Sequence, residues 1–249
     1  MLANPRSADA IKNSKHQKGL TLVEFVVAFL VVAVLAALFL PSASRSREAA
    51  RRSQCKNNLK QIAIALHNYH DKYRAFPPAC TVDADGKPLH SWRTLILPYL
   101  EQKALYDKID LTKPWNDPAN ADAFKTILDV YRCPSEQGPA THTIYLALVT
   151  SNSCLRLGES SRLSDIKDGA SSTLLVTEVD SEHAVPWMAP IDADISLFLA
   201  IRPTSELVHT SGVHAVSADG TVRFLNAGLS AEIRHALISI DGNEPPADF

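Results

Sequence analysis

Sixteen consecutive apolar residues, Phe25 to Leu40 (FVVAFLVVAVLAALFL), constrain this chain more than any other feature. Extended back to Leu20, the stretch is 21 residues long and is interrupted only by Thr21 and Glu24. At about 1.5 Å per residue such a helix covers roughly 32 Å, enough for the hydrocarbon core of a bilayer. Every helical face is apolar, so no side suits water, and a buried helix of a soluble domain is disfavoured. A cleaved secretory signal is disfavoured as well. The run is longer than a usual signal core, and no Ala-x-Ala site stands close behind it. The expectation is one membrane helix over residues 20–41.

The remainder is long enough for one good-sized domain but not for two large ones. The chain has 249 residues, 46% hydrophobic and 21% charged, which fits neither disorder nor a polytopic membrane protein. A formal net charge of −2 hides three zones. Residues 1–40 hold 4 Lys/Arg and 2 Asp/Glu, and residues 41–60 hold 6 and 1. Residues 61–249 then hold 15 against 24, a net −9 body behind a basic collar. A body of that sign repels phosphate, so a sequence-wide nucleic-acid binder is disfavoured and no nucleic-acid partner is expected.

Glu24 requires an explanation, because a carboxylate inside a membrane helix costs a few kcal/mol and needs a partner. The residues leading to it are Lys18-Gly19-Leu20-Thr21-Leu22-Val23-Glu24. This closely resembles the type IV prepilin signature, in which a dedicated peptidase cuts after the glycine and methylates the new N-terminus. A cut between Gly19 and Leu20 would make Glu24 mature residue five, one helical turn from the new amine and on the same face. In pilin-like families this Glu neutralises the terminal amine of a neighbouring subunit. Pro41 would become mature residue 22, where pilins commonly carry a kinking proline. The leader, 1–19, is basic, and the resemblance places it in the cytoplasm. The basic collar beyond the apolar run would by itself argue for the opposite orientation.

Beyond Pro41, Cys55, Leu59, Ile62, Leu66, Tyr69 and Tyr73 recur at spacings of 4, 3, 4, 3 and 4, a helical stripe with Lys56, Asn57, Asn58, Lys60 and Gln61 largely off it. The helix should stop before Phe76-Pro77-Pro78. One helix from Leu20 to Tyr73 would be about 80 Å long if continuous. Residues 42–76 form its amphipathic stalk, and 77–249 a head. In the head, Leu89–Tyr106 reads as a helix kinked at Pro98, and Asn116-Asp117-Pro118 as a helix start followed by Phe124, Ile127, Leu128 and Tyr131. Thr173–Val179 reads as a buried strand after an Asp168-Gly169 turn. Val213–Ser217 and Thr221–Leu225 flank Ala218-Asp219-Gly220 as a hairpin, with Val222 and Phe224 on one face. Ser230–Ile240 reads as a short helix. The fold class is α+β, a long pilin-like helix packed on a head with an antiparallel sheet.

Several head segments resemble a bacterial family of prepilin-signal proteins with a large domain of unknown function. They are RRSQCKNNLKQIAIALHNYHDKYRAFPP (51–78), SWRTLILPYLEQKALYDKIDL (91–111), YRCPSE (131–136), DGASSTLLVTEV (168–179) and HTSGVHAVSADGTVRFLN (209–226). The last contains that family's His-x9-Asp-Gly signature as His209, Asp219 and Gly220. The resemblance runs from about residue 19 to 240 and is weakest over 137–165. It implies a fold and an association with export filaments; it supplies no reaction.

Candidate chemical sites are few. His67 and His70, at i and i+3, share a helix face where a metal could bridge them. No third ligand follows at zinc spacing, so packing or solvent is the favoured role. His209 and Asp219 are an acid–base pair if the hairpin joins them, but an Asp-Gly turn with His209 holding a loop is preferred. Asp83, Asp85, Asp192 and Asp194 offer oxygen ligands for calcium without matching any calcium loop, so no cofactor or metal is expected. No Gly-x-Ser-x-Gly elbow is present, and no catalytic residue is assigned. Cys55, Cys80, Cys133 and Cys154 allow three full disulfide pairings, and the sequence does not choose among them; Cys55 on the stripe also suits a small buried apolar role.

The function expected is that of a pseudopilin-like structural subunit, not an enzyme. Its processing and assembly residues are Gly19, Leu20 and Glu24. Its partners are the prepilin peptidase/N-methyltransferase, other pseudopilins and the assembly platform of a type II secretion or type IV pilus-like system. It sits in the inner membrane with the head outside the cytoplasm. The alternative is a prepilin-anchored binding module or enzyme acting without a filament. Such a head should contain a convergent polar pocket.

Overall fold

The computed structural model describes residues 21–242, side chains excepted between 36 and 45. Gly19, Leu20 and the leader lie outside the described residues. Two compact units divide between Arg47 and Glu48 and are taken separately. A helix, α1, runs Leu22–Tyr73 and contributes to both.

In the first unit α1 starts on a capping box. Glu24 Oε2 accepts from the Thr21 backbone N at 2.8 Å and from Thr21 Oγ1 at 3.0 Å, and Glu24 N donates back to Thr21 Oγ1 at 3.4 Å. Thr-x-x-Glu is the sequence form of that cap, satisfying N–H groups that a helix start leaves without partners. Residues 22–35 are exposed on every side. Among the described residues no helix is long and apolar enough to cross a membrane. The fourteen residues with described side chains, 22–35, fall short of the roughly 20 that a span requires. The expected membrane segment, 20–41, extends beyond them at both ends.

The second unit starts with the rest of α1. Cys55, Leu59, Ile62 and Leu66 are fully buried, joined by Ala63 and Ala65. Two residues depart from the expected stripe. Asn58 is buried and donates through Nδ2 to the carbonyls of Asp129 and Arg132, at 3.1 and 2.8 Å. Tyr73, in the last turn, is 54% exposed. The helix stops where Arg74 turns left-handed, at φ 61°, with its N still bonded to His70 O.

The head's main sheet is antiparallel with four strands in the order β4-β5-β7-β8. Its strands are β4 (Tyr145–Ala147), β5 (Leu174–Glu178), β7 (Gly212–Ser217) and β8 (Val222–Asn226). Two small hairpin-like pairs flank it, β1 (Cys80–Val82) with β2 (Pro88–Ser91), and β3 (His142–Thr143) with β6 (Val185–Pro186). The β5 strand and the β7–β8 hairpin match the sequence reading. Gly220 turns at φ 82° between β7 and β8, and Asp219 Oδ1 accepts from Thr221 N. Leu225, rather than the Val222–Phe224 side, is the buried residue of β8, and the Arg52 guanidinium covers the Phe224 ring at 4.2 Å.

The expected helix over 89–106 is instead a strand and three short turns. Ser91 ends β2 and caps α2 (Trp92–Leu95) by accepting from Arg93 N; Pro98 sits inside a 3-10 turn, Leu97–Tyr99; Glu101 adopts φ 58°; and α3 (Lys103–Tyr106) follows. Asp117 does cap a helical start, but it yields only a 3-10 turn and α4 (Ala121–Phe124), so Ile127 stays exposed. Asp194 caps α5 (Ile195–Leu199). Ser230 caps α6 (Ala231–Ala236), which ends short of the expected Ile240; Leu237, Ile238 and Ile240 continue as buried chain.

Candidate functional site

Where β5 ends, β7 begins and α1 passes over them, six ionisable or sulfur side chains converge. Glu178 closes β5, a strand whose five residues are all buried. Its Oε2 accepts from His214 N at 2.7 Å and lies 3.0 Å from His214 Nδ1, a consequence of β5–β7 pairing that sets Thr177 opposite Ala215. Its Oε1 lies 3.5 Å from His209 Nε2, yet among the described residues it accepts no hydrogen bond. His209, in the loop before β7, is 1% exposed. Its Nδ1 is 3.0 Å from Glu48 Oε1 on α1, and its Nε2 is 3.5 Å from Cys133 Sγ. Cys133 is disulfide-bonded to Cys55 of α1 across 78 positions, with Cα atoms 5.3 Å apart.

Electrostatically the cluster is a paired one. Burial opposes charge on His209, but the Glu178 and Glu48 carboxylates more than offset it and raise the imidazole above its ordinary value. Burial alone would raise the Glu178 carboxyl; His209 and His214 beside it hold it below the usual carboxylate range instead. A buried acid facing two histidines, with a second carboxylate and a sulfur pair close by, can hold a proton or a cation. Among the described residues, Cys55, Cys133, Glu178 and His209 are the group of potential metal ligands that comes together, with one donor atom from each lying within 4.8 Å of the others.

The other expected candidates separate. His209 precedes β7 and Asp219 follows it, so six strand residues, roughly 20 Å, lie between them and no acid–base pair forms. Asp219 serves the turn. Gly220 serves it too, and a Cβ there would meet His67 Nε2 at 3.2 Å. His67 meets Phe76 edge-on and His70 meets it at a tilt, ring centroids 5.7 and 5.0 Å away, and His70 Nε2 accepts from Leu163 N. Three of the four aspartates weighed for calcium have other partners. Asp83 accepts from the backbone of Asp85 and Lys87, Asp194 caps α5, and Asp192 pairs with Arg93. Cys80 and Cys154 are buried free thiols, and burial pushes Cys154 up to about 12.

Sequence reasoning found His209 through its signature and Cys55 through the stripe. It missed Glu178, Glu48 and His214. The one signal for Glu178 was a carboxylate closing an otherwise apolar strand, TLLVTEV.

Comparison with known proteins gives three matches. A family model described as protein of unknown function (DUF1559) matches residues 44–195, more than half of the chain and ending before His209. A prokaryotic N-terminal methylation motif matches residues 14–40. Competence protein ComGC of Halalkalibacterium halodurans is 32% identical over 60 residues, 23% of this chain, and the chain spans 59% of that protein. No solved structure matches.

Proposed function

The chain belongs to the family of proteins of unknown function (DUF1559), and we propose that it is a pilin-like structural subunit, anchored in the inner membrane by its N-terminal helix. The observation that carries this reading is the N-terminal methylation motif over 14–40, which contains Gly19, Leu20, Glu24 and the apolar run in prepilin register. In this reading the peptidase cuts after Gly19 and methylates Leu20, and the freed helix is withdrawn from lipid into a filament with other pseudopilins. The machine is a type II secretion or type IV pilus-like system, and partial similarity to a competence protein supports a pilin-like subunit. The head lies outside the cytoplasm, a compartment where a disulfide between Cys55 and Cys133 persists. The uniformly exposed apolar surface of 22–35 supports the reading physically, since water does not suit any of its faces. Glu24, satisfied by Thr21 in the isolated chain, exchanges that cap for the amine of a neighbouring subunit on assembly.

The test is the N-terminal mass of the protein isolated from membranes. A mature chain starting at methylated Leu20 is expected. Gly19→Val should leave only the full-length precursor, because a β-branched side chain replaces a residue with none. A mature protein that retains residues 1–19, or normal cleavage of Gly19→Val, would end the proposal.

A further inference from the structure

We propose that the dithiol form of this chain holds a Zn²⁺ ion between Cys55 Sγ, Cys133 Sγ, His209 Nε2 and Glu178 Oε1. The donor set is two thiolates, an imidazole and a carboxylate, which suits zinc, since the sulfurs are soft and the oxygen is hard. Two of the six donor separations already suit a tetrahedral site, and all lie within 4.8 Å. Ligand bonds of about 2.3 Å to sulfur and about 2.1 Å to nitrogen or oxygen, at tetrahedral angles, imply S···N and N···O edges of roughly 3.6 and 3.4 Å. The corresponding separations, Cys133 Sγ to His209 Nε2 and His209 Nε2 to Glu178 Oε1, are both 3.5 Å. Glu178 Oε1 supplies an independent pointer. It is a buried carboxylate oxygen, on a side chain 1% exposed, aimed at the cluster and accepting no hydrogen bond among the described residues.

The surrounding groups orient these donors as a metal site requires. Glu48 Oε1, 3.0 Å from His209 Nδ1, accepts a hydrogen bond from Nδ1–H and so holds Nε2 toward Cys133 Sγ as the ligand nitrogen. His214 binds the other oxygen of Glu178 through both N and Nδ1, which leaves Oε1 as the free end. Glu48 and Cys55 lie two turns apart on α1, while Glu178 ends β5 and His209 stands in the loop before β7. The ion would therefore keep the link between α1 and the loop at Cys133 that the disulfide otherwise provides, and would add a link to β5 through Glu178.

The two states exclude each other, because bonded sulfurs cannot also stand roughly 3.8 Å apart as tetrahedral neighbours. A dithiol reductant opens the disulfide by two exchanges, supplying two electrons and two protons and itself becoming a disulfide. Zinc binding then releases the two thiol protons, and the proton on His209 Nε2, to solvent.

The experiment uses the full chain in detergent, stripped with a chelator and reduced anaerobically by a water-soluble phosphine, which ends as the phosphine oxide. Zinc is titrated against a chromophoric competitor. Cobalt(II) replaces it in a parallel arm to read tetrahedral d–d and thiolate charge-transfer bands. One zinc per reduced chain is expected, with none held by the disulfide form. Cys133→Ser and Glu178→Gln should each weaken binding by at least 100-fold, and Glu48→Ala by about 10–100-fold. Near-UV circular dichroism follows folding throughout. A folded reduced chain that takes up less than about a tenth of an equivalent would overturn the proposal. So would equal uptake by Cys133→Ser and Glu178→Gln, or a reduced chain that unfolds and is not recovered by zinc.

Discussion

Replacing Arg93 by methionine should be among the most damaging single changes in the head. Arg93 is fully buried, and its guanidinium is used on every side. Nη1 meets Asp192 Oδ1 at 2.7 Å and Tyr145 O at 3.3 Å. Nη2 meets Ala189 O at 2.9 Å and Ile191 O at 2.8 Å, and Nε meets Trp187 O at 3.0 Å. Methionine fills much of the volume but strands the Asp192 carboxylate and leaves four carbonyls without that donor. Breaking a buried ion pair from one side costs about 3–5 kcal/mol. For a unit the size of 48–249, at roughly 2–4 °C per kcal/mol, the melting temperature should fall by about 6–20 °C. Near-UV circular dichroism is the assay, because Trp92 and Trp187 both bond within this network: Trp92 Nε1 donates to Asp192 Oδ1. Arg93→Lys should lie between the two, since an ammonium reaches Asp192 but cannot fork across the carbonyls. Adding Asp192→Asn to Arg93→Met removes the stranded charge and should recover part of the loss. A fall of under about 3 °C in Arg93→Met would refute the reasoning, and no recovery in the double variant would move the cost from the charge to the carbonyls.

Leu66→Ala removes a fully buried side chain from the core stripe of α1 and should cost about 2–5 kcal/mol, read as a lower melting temperature of the head. Gly220→Ala places a Cβ at φ 82° and against His67, and should cost about 1–2 kcal/mol or slightly more, measured by denaturant titration. His90 is fully buried with Nε2 2.7 Å from Lys113 O, and burial lowers its pKa below the ordinary imidazole value of about 6.5. The unfolded chain then binds the proton first, so the contribution of His90 is full above about pH 6.5 and is lost as pH falls toward the folded pKa. His90→Gln should flatten that part of the stability–pH curve, and an unchanged slope would remove His90 as its source.

What the sequence determined is what neighbouring residues decide among themselves. The 3.6-residue stripe from Cys55 to Leu66 marks the buried face of α1 because every turn repeats the same contact with the head. Asp117, Asp194 and Ser230 mark helix starts because each can reach a backbone N–H two or three residues on. The turn at Asp219-Gly220 needs a side-chain acceptor and a left-handed residue in succession, and both are written adjacently. Only tertiary structure decided where charge is buried. Nothing around Arg93 in the sequence marks it as buried, yet four carbonyls and Asp192, about a hundred positions away, enclose it. Cys55, Cys133, Glu178 and His209 have no common spacing; strand pairing and the packing of α1 bring them together. Periodicity records which side of an element avoids water. A buried ionisable group is stable only with a partner from another element, and that partner's position follows from the fold as a whole.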